Sequence, residues 1–471
     1  MRVNFRSYIG DKAFYKSLLM LAVPIMVQQA ITSFVNLIDN VMIGSLGTIC
    51  VSAVTIDNQL IWVYNLAIFG VLSGAAIFGT QFAGAGDTAG LRETFRFKLI
   101  VSLVTAGVAS AILLISGGDL LMLFLDNESN SPEEVSLTLS EALKYLRIAV
   151  IGLVPFAVVQ SYAGTMRETG ETVIPMVGGI ISIIVNLVFN YFLIYGKAGF
   201  PALGVEGAAI ATVISRFVEL LFVVLFVHLK KEKYGFAKGL YKNFRVTPLL
   251  VKKILVTGSP LFVNELMWAL GQMFISRNYS IRGIDVVAGV NISNTVWNFF
   301  AVMEIALGSV VTIMIGQRLG KGDSEGAIDT DKKILFVGVT SQTVVGLFLI
   351  AMAPFIPEVY NVEPEVKTIA MWCLIIAGAS LPIHTIVQVV YFTIRAGGKT
   401  VITFLFDSIY TWLIPGMISF LLCRFTGINV LWVYFIVQFL DIIEIIAGVP
   451  LLKSGFWTNC LISDFEADPG E

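Results

Sequence analysis

The stretch "LLMLAVPIMVQQAITSFVNLI" (residues 18–38) decides the fold, and Asp39 follows it directly. About twenty mostly apolar residues are enough to cross a hydrocarbon core of ~30 Å as a helix. The rest of the chain has the same character, since 56% of its 471 residues are hydrophobic, 14% are charged and the mean hydropathy is +0.84. A soluble domain carries about 25% charged residues. The sequence therefore predicts an all-α polytopic membrane protein.

Apolar runs separated by charged residues, Gly and Pro predict twelve transmembrane helices. We expect them near residues 15–42, 51–80, 94–117, 138–163, 172–196, 205–229, 250–276, 284–315, 332–356, 365–393, 400–423 and 428–452. The connections are short, and the longest lie near 118–137 and 230–249. No loop has room for a soluble catalytic domain, so we expect a protein that is not an enzyme.

The two halves of the sequence repeat each other. When Pro24 is aligned with Pro260, "QFAGAGD" (81–87) falls on "QRLGKGD" (317–323) without a gap. Further along, at a slightly shorter offset, "RETGET" (167–172) in the first half aligns with "RAGGKT" (395–400) in the second. Chance similarity between apolar segments does not account for matched Gln, Gly, Asp and Arg residues.

Each half holds six predicted spans, an even number, so both halves enter the membrane in the same direction. Parallel repeats predict two six-helix bundles related by a pseudo-two-fold axis along the membrane normal, with a cavity between them. We expect the N-terminal bundle over residues 1–229, a cytoplasmic linker over 230–249 and the C-terminal bundle over 250–471.

The placement of Lys and Arg predicts the orientation. With a cytoplasmic N-terminus, most of the 31 Lys and Arg residues lie in cytoplasmic segments, whereas the outside loop "DNESNSPEE" (126–134) has none. The positive-inside rule therefore puts both termini in the cytoplasm. The basic N-terminus leads into a full-length span without a small-residue cleavage site, so we expect no removable signal peptide. The predicted location is a bacterial-type inner (plasma) membrane.

Four polar side chains of the first half reach a similar depth, in the outer part of their spans. They are Asp39 in span 1, Asn186 and Asn190 in span 5, and Thr212 in span 6. Residues four apart share a helix face, so Asn186 and Asn190 point the same way. A carboxylate within a span costs ~2.5–3.5 kcal/mol on insertion scales and is functional by default. This oxygen-rich set is suited to a hard cation such as Na⁺, or to a proton; helix packing is the alternative role for the Asn and Thr residues.

The second half has its own acids within spans. Glu265 lies near the middle of span 7, five residues after Pro260, and is our first candidate for a substrate, proton or cation site; Asp407 in span 11 is the second. Local pairing or snorkelling is the expected role of Glu304, Asp441 and Glu444, and a helix-packing hydrogen bond is that of His384. Two histidines and four scattered cysteines match no metal-binding spacing, so we expect no cofactor.

These residues together resemble the MATE (multidrug and toxic compound extrusion) transporters, in particular NorM-like members. The resemblance rests on Pro24 with "NLIDNVMIGSLG", the paired "QFAGAGD" and "QRLGKGD", the turns "RETGET" and "RAGGKT", and "GAAIATVIS". It covers nearly the whole chain. It implies a V-shaped pair of six-helix bundles that exports organic cations by antiport with Na⁺ or H⁺.

The resemblance also implies roles for single residues. The family's coupling acid of the first span maps to Asp39, and its first-bundle cation site maps to Asn186, Asn190 and Thr212; the acid of span 7 maps to Glu265. Members similar to the DinF branch carry Asp where this chain has Asn190.

We expect a secondary active exporter of amphipathic organic cations that works by alternating access. The main alternative is a lipid-linked sugar flippase of the same superfamily, which would need a cationic cavity for pyrophosphate rather than Asp39 and Glu265. A membrane enzyme and a channel fit the sequence less well. The expected partners are small organic cations and the lipid bilayer, with no nucleic acid, and the expected state is a monomer.

Overall fold

The computed structural model describes residues 8–125 and 131–466. The regular elements of these residues are helices, and twelve helices are long and apolar enough to cross a membrane. They are α1 Lys12–Gly44, α2 Thr48–Ala85, α3 Thr88–Met122, α4 Pro132–Glu168, α5 Val173–Tyr195, α6 Val205–Leu229, α7 Pro248–Ser280, α8 Ile284–Phe300 continued by Val302–Gly320, α9 Ser324–Met352, α10 Pro364–Ala396, α11 Thr400–Phe425 and α12 Val430–Lys453. The prediction of an all-α protein with twelve spans is confirmed. Part of the acidic loop, 126–130, lies outside the described residues.

Three of the helices of the second half are interrupted. Helix α8 breaks at Ala301, and α12 breaks at Leu440, between Val430–Phe439 and Asp441–Lys453. Helix α11 contains two π-helical turns, Leu405–Ile409 and Trp412–Gly416. The sequence predicts one unbroken helix for each of these spans, so the interruptions are seen only in the structure. Breaks and π-turns of this kind occur preferentially at functional sites.

The sequence repeat returns as a repeat of helix boundaries. Helices α1, α2 and α3 begin at Lys12, Thr48 and Thr88, and the alignment of Pro24 with Pro260 pairs these positions with the first residues of α7, α8 and α9. Helices α1 and α7 are both 33 residues long and carry their proline, Pro24 or Pro260, at the same position. The pairing predicted from sequence is therefore present in the helices themselves.

The repeated motif "GD" joins one helix to the next in each half. Gly86 and Gly322 have φ values of +77° and +72°, a left-handed conformation that glycine adopts without steric cost. The following aspartates cap the next helix: Asp87 accepts from the backbone N–H groups at the start of α3, and Asp323 accepts from that of Gly326. An N-cap carboxylate satisfies amide groups that have no partner within the helix. The motif thus has a structural role as a tight helix junction.

The paired motifs also share close backbone packing. A Cβ atom added at Gly84 would overlap the backbone carbonyl of Gln317, and one added at Gly320 would overlap that of Gln81. Gly84 and Gln81 occupy the same motif positions as Gly320 and Gln317. The contact is therefore reciprocal, as a two-fold relation between the repeats requires.

The chain divides into two compact units. We call Val27–Gly79 with Asp87–Lys253 the N-terminal unit, and Met1–Met26 with Thr80–Gly86 and Ile254–Glu471 the C-terminal unit. The start of α1 and the end of α2 thus group with the second half of the sequence. The bundle boundaries predicted from the sequence, 1–229, 230–249 and 250–471, divide the chain into consecutive stretches, whereas the two units are defined by contacts between residues. Those boundaries stay a prediction.

The segment predicted as a linker packs within the N-terminal unit. The Arg96 guanidinium of α3 donates to the carbonyls of Gly239 and Leu240, at 3.0 Å in each case. The backbone N–H and the hydroxyl of Thr247 both donate to the Glu93 carboxylate. A basic side chain that satisfies several loop carbonyls fixes the loop on the helix, so residues 239–247 are held rather than freely extended.

Candidate functional site

The four polar residues predicted for the first half form one hydrogen-bonded chain in the N-terminal unit. Asn190 Nδ2 donates to Asp39 Oδ1 at 2.8 Å and to Asn186 Oδ1 at 3.2 Å. Asn186 Nδ2 in turn donates to Thr212 Oγ1 at 3.2 Å. Thr212 donates to the Ala208 carbonyl one turn earlier. Helices α1, α5 and α6 therefore bring together the residues that depth along the spans predicted to meet.

The chain of bonds leaves oxygen atoms available. Asn190 is 2% exposed, and its Oδ1 atom has no hydrogen-bond partner within the described residues. Asp39 is half-buried, so the only carboxylate of the set is reachable from its surroundings. Buried polar atoms are normally bonded, and an exception needs an explanation. An amide oxygen without a donor, next to a carboxylate, is chemically suited to accept a hard cation.

A second acid of this unit, Asp57 on α2, was not predicted as a site residue from the sequence. It is fully buried, and neither of its carboxylate oxygens has a hydrogen-bond partner among residues 8–125 and 131–466. The buried Tyr145 of α4 lies within electrostatic range of both Asp57 and Asp39. The rule that an intramembrane acid is functional by default could have found Asp57, since it lies within the predicted second span.

An open pocket of the N-terminal unit is lined by residues of α1 and α2. It has a volume of about 310 Å³ and is lined by Asn40, Thr55, Asn58, Gln59 and Trp62. Asn40 is the neighbour of Asp39 in the sequence, and the Trp62 side chain is 48% exposed. An exposed indole face attracts organic cations through its π-electrons.

In the C-terminal unit, Glu265 and Asp407 lie at two ends of one polar network. Glu265 Oε1 is 3.6 Å from Arg395 Nη1, which also donates to the Tyr391 hydroxyl at 3.4 Å. Asn264 Nδ2 donates to Asp407 Oδ2 at 2.7 Å and to the Tyr391 hydroxyl at 3.2 Å. Glu265 was predicted as a candidate substrate, proton or cation site, with no partner assigned to it. The structure instead gives it a basic partner from the end of α10.

The acids ranked lower from the sequence form a second group in this unit. His384 Nδ1 lies 2.9 Å from Asp441 Oδ2, so the expected helix-packing bond of this histidine is present. Thr385 donates to Glu304 Oε1 at 3.3 Å. Asp441 was expected to pair locally, but its partner is on another helix, 57 residues away. Arg216 and Glu219, three residues apart on α6, form a local ion pair at 3.3 Å.

Comparison with known proteins gives a consistent result over both halves. The family model MatE matches residues 24–192 and 260–421, so each match begins at one of the paired prolines. The chain is 24% identical over 434 residues to the "Probable multidrug resistance protein NorM" of Thermotoga maritima, covering 91% of this chain and 90% of the relative. It is 25% identical over 431 residues to the "Probable multidrug resistance protein YoeA" of Bacillus subtilis, covering 89% of each.

Solved structures share the fold. One, described as the outward-facing conformation of a multidrug resistance MATE family transporter of the MOP superfamily, matches with a TM-score of 0.83 at 18% identity, over 95% of this chain and 97% of that one. A MOP superfamily transporter from Pyrococcus furiosus, described as having a binding pocket of reverse polarity, matches with a TM-score of 0.82 at 18% identity, over 96% and 98%. The protein is a multi-pass membrane transporter and not an enzyme. With a repeated fold, paired motifs and family matches in both halves, the chain belongs to the MatE family.

Proposed function

We propose that the protein exports amphipathic organic cations by alternating access, in antiport with Na⁺ bound at Asp39, Asn186, Asn190 and Thr212. The observation that carries this proposal is the hydrogen-bonded chain of these side chains, with the buried Asn190 Oδ1 left without a donor among the described residues. A proton on Asp39 needs no further amide or hydroxyl groups around it, whereas a metal ion uses their oxygen atoms as ligands. H⁺ is the second candidate for the coupling ion, because a proton also neutralises Asp39.

The charge of the cluster favours a monovalent ion. Asp39 is the only acid among the four side chains, so one bound Na⁺ makes the set neutral and lowers the cost of holding it within the membrane. Movement of one cation inward yields ~2.3 kcal/mol per 100 mV, and a tenfold concentration gradient adds ~1.4 kcal/mol. In a one-for-one exchange the organic cation carries one charge outward, so the voltage contributions cancel, and a tenfold Na⁺ gradient supports about a tenfold gradient of the organic cation.

In the C-terminal unit we propose that Glu265 and Asp407 contribute a substrate, proton or cation site. Their support is the network through Arg395, Tyr391 and Asn264, which keeps both carboxylates satisfied within the helices. A flippase for a lipid-linked sugar would instead need basic groups in excess to hold pyrophosphate. The network described here has two carboxylates, Glu265 and Asp407, against one basic side chain, Arg395, which favours a cationic substrate.

Transport in proteoliposomes tests the proposal directly. Vesicles loaded with ethidium, an amphipathic fluorescent cation, are expected to lose it several-fold faster when an inward Na⁺ gradient is imposed at equal pH on both sides. An inward K⁺ gradient of the same size serves as the control. Efflux that responds to a pH gradient alone contradicts the Na⁺ assignment, and efflux that responds to neither gradient contradicts the proposed function.

We also propose that both termini are cytoplasmic, in the bacterial inner membrane, and that the protein acts as a monomer. Two native cysteines allow a test of orientation: Cys50 lies in the first turn of α2, and Cys460 follows α12, and both are half-buried. In intact cells, a membrane-impermeant maleimide is expected to label a variant that retains only Cys50. A variant that retains only Cys460 is expected to react after permeabilisation. Reversed labelling contradicts the orientation.

A further inference from the structure

The segment that joins α6 to α7 presents two aromatic rings and two basic groups at its surface. In "YKNFR" (241–245), Tyr241 and Phe244 are 53% and 51% exposed, and their ring centroids lie 5.9 Å apart. Lys242 and Arg245, which follow these rings in the sequence, are exposed as well. We call these four residues the aromatic–basic patch. Large rings that remain exposed next to one another indicate an interaction surface when packing does not need them.

Packing of the segment does not need the exposed rings, because the segment has a buried core of its own. Tyr234, Phe236 and Leu240 are 3%, 1% and 1% exposed. Phe236 meets Phe95 of α3 edge-on, with 5.3 Å between ring centroids. The segment thus buries three apolar side chains within the N-terminal unit and still leaves the rings of the aromatic–basic patch outside.

The backbone beneath the aromatic–basic patch is fixed before any partner binds. The Arg96 guanidinium donates to the carbonyl of Leu240, directly before the patch, and to that of Arg245 at its end. The hydroxyls of Tyr241 and Tyr162 bond each other at 2.5 Å. A preformed surface loses little conformational freedom on binding, so more of its interaction energy remains as affinity.

The surface around the aromatic–basic patch carries an excess of positive charge. Residues 230–253 include eight Lys and Arg residues and one acid, Glu232. Two of the lysines have acidic partners, since Lys233 lies 2.6 Å from a carboxylate oxygen of Glu171, and Lys238 lies 2.5 Å from one of Glu232. The ion pairs of this segment, over the part of the chain that the structure describes, leave both basic groups of the patch available. Their charge favours an anionic partner.

The position of the segment favours one kind of anion. Both of its neighbours are spanning helices, since α6 ends at Leu229 and α7 begins at Pro248, so the segment lies where the chain leaves the hydrocarbon core. Leu229 and Leu249 are 82% and 44% exposed. Aromatic rings are enriched at the headgroup level of membranes, and basic groups there attract anionic lipids. A phospholipid offers a phosphate and an acyl chain together, whereas a soluble acidic partner offers only the charge.

We propose that the aromatic–basic patch binds an anionic phospholipid at the membrane surface. Lys242 and Arg245 bind the lipid phosphate, to which a guanidinium can donate two parallel hydrogen bonds. The rings of Tyr241 and Phe244 contact the glycerol and the upper part of the acyl chains. The site attaches the N-terminal unit to the bilayer surface whichever substrate or coupling ion is used, so the inference does not depend on the proposed function.

Lipid binding to the purified full-length protein tests the inference. Native mass spectrometry in detergent counts the molecules of a short-chain phosphatidylglycerol bound per protein, and phosphatidylcholine of the same chain length is the neutral comparison. The unchanged protein is expected to prefer phosphatidylglycerol. In K242Q/R245Q, one binding step is expected to shift to a phosphatidylglycerol concentration at least about tenfold higher, because two positive charges are lost. F244A keeps both charges and provides a second variant, in which the same step is expected to weaken severalfold.

Two exposed lysines of the C-terminal unit, Lys321 and Lys332, provide the charge-matched control. K321Q/K332Q loses the same amount of charge and is expected to bind phosphatidylglycerol as the unchanged protein does. Equal binding of the two lipids, unchanged binding by K242Q/R245Q, or an equal loss in the control overturns the inference. A poly-glutamate peptide tests the other kind of partner: if it binds through Lys242 and Arg245 while phosphatidylglycerol does not, the patch binds an acidic polypeptide and the lipid assignment is wrong.

Discussion

Replacement of Asp39 by Asn is expected to abolish Na⁺-driven efflux, with a loss of at least about 100-fold in the rate above leakage. The change removes the only carboxylate of the cluster and keeps its size. Without that charge, a bound Na⁺ leaves the site with a net positive charge inside the membrane, which costs several kcal/mol. A cost of about 1.4 kcal/mol corresponds to a factor of ten in affinity. Ethidium efflux from proteoliposomes under an inward Na⁺ gradient is the measurement.

A matched change elsewhere separates the site from a general effect of charge. Asp119 is exposed near the end of α3, and Asp119→Asn is expected to transport at the unchanged rate. Asn190→Ala, which removes the amide oxygen that lacks a donor, is expected to raise the Na⁺ concentration for half-maximal efflux. Normal transport by Asp39→Asn under either a Na⁺ or a pH gradient would falsify the central role of this acid.

Substitution of the crossing glycines is expected to have the second large effect, on folding rather than on transport. In Gly320→Val, the new Cβ overlaps the backbone carbonyl of Gln81, and in Gly84→Val it overlaps that of Gln317. A backbone atom cannot rotate away as a side chain can, so the helices have to separate. Overpacking of a well-packed core costs about 1–3 kcal/mol, and we expect about 3 kcal/mol or more here.

The yield of monodisperse protein and its thermal unfolding in detergent are the readouts. Gly107→Val serves as the control, because Gly107 is also within a long helix but has open space where its Cβ would be. Because Gly107→Val also places a valine within a helix, comparison with it separates the steric overlap from the intrinsic helix preference of valine. If all three variants unfold at the same temperature, the close crossing does not contribute to stability.

The first cluster could be predicted from the sequence because depth along a span is encoded in residue number. Asp39, Asn186 and Thr212 lie in the outer parts of their spans, and within one unit equal depth brought them into contact. The pair Glu265–Arg395 could not be predicted in the same way. Arg395 was assigned to a cytoplasmic turn, and contact with Glu265 depends on how α7 and α10 tilt and rotate, which hydropathy does not record.

The group around His384 was missed for a related reason. Its members come from three helices, and each taken alone is explained by snorkelling or by a packing hydrogen bond. Only the structure shows that both imidazole nitrogens lie opposite carboxylates, with Nδ1 2.9 Å from Asp441 Oδ2 and Nε2 3.9 Å from Glu304 Oε2. The helix breaks at Ala301 and Leu440 carry no Gly or Pro that would have revealed them in the sequence.

The reciprocal contact of Gly84 with Gln317 and of Gly320 with Gln81 has the geometry of an isologous dimer interface. In such an interface, one patch of surface meets its own copy, so residue i contacts j and j contacts i. The chain thus resembles two fused subunits that keep their shared contact while differing elsewhere. In the alignment of the two halves, an isoleucine stands opposite two of the acids: Ile275 opposite Asp39, and Ile68 opposite Glu304. Covalent fusion permits this division of labour, because a polar residue acquired by one copy need not be placed twice in the membrane.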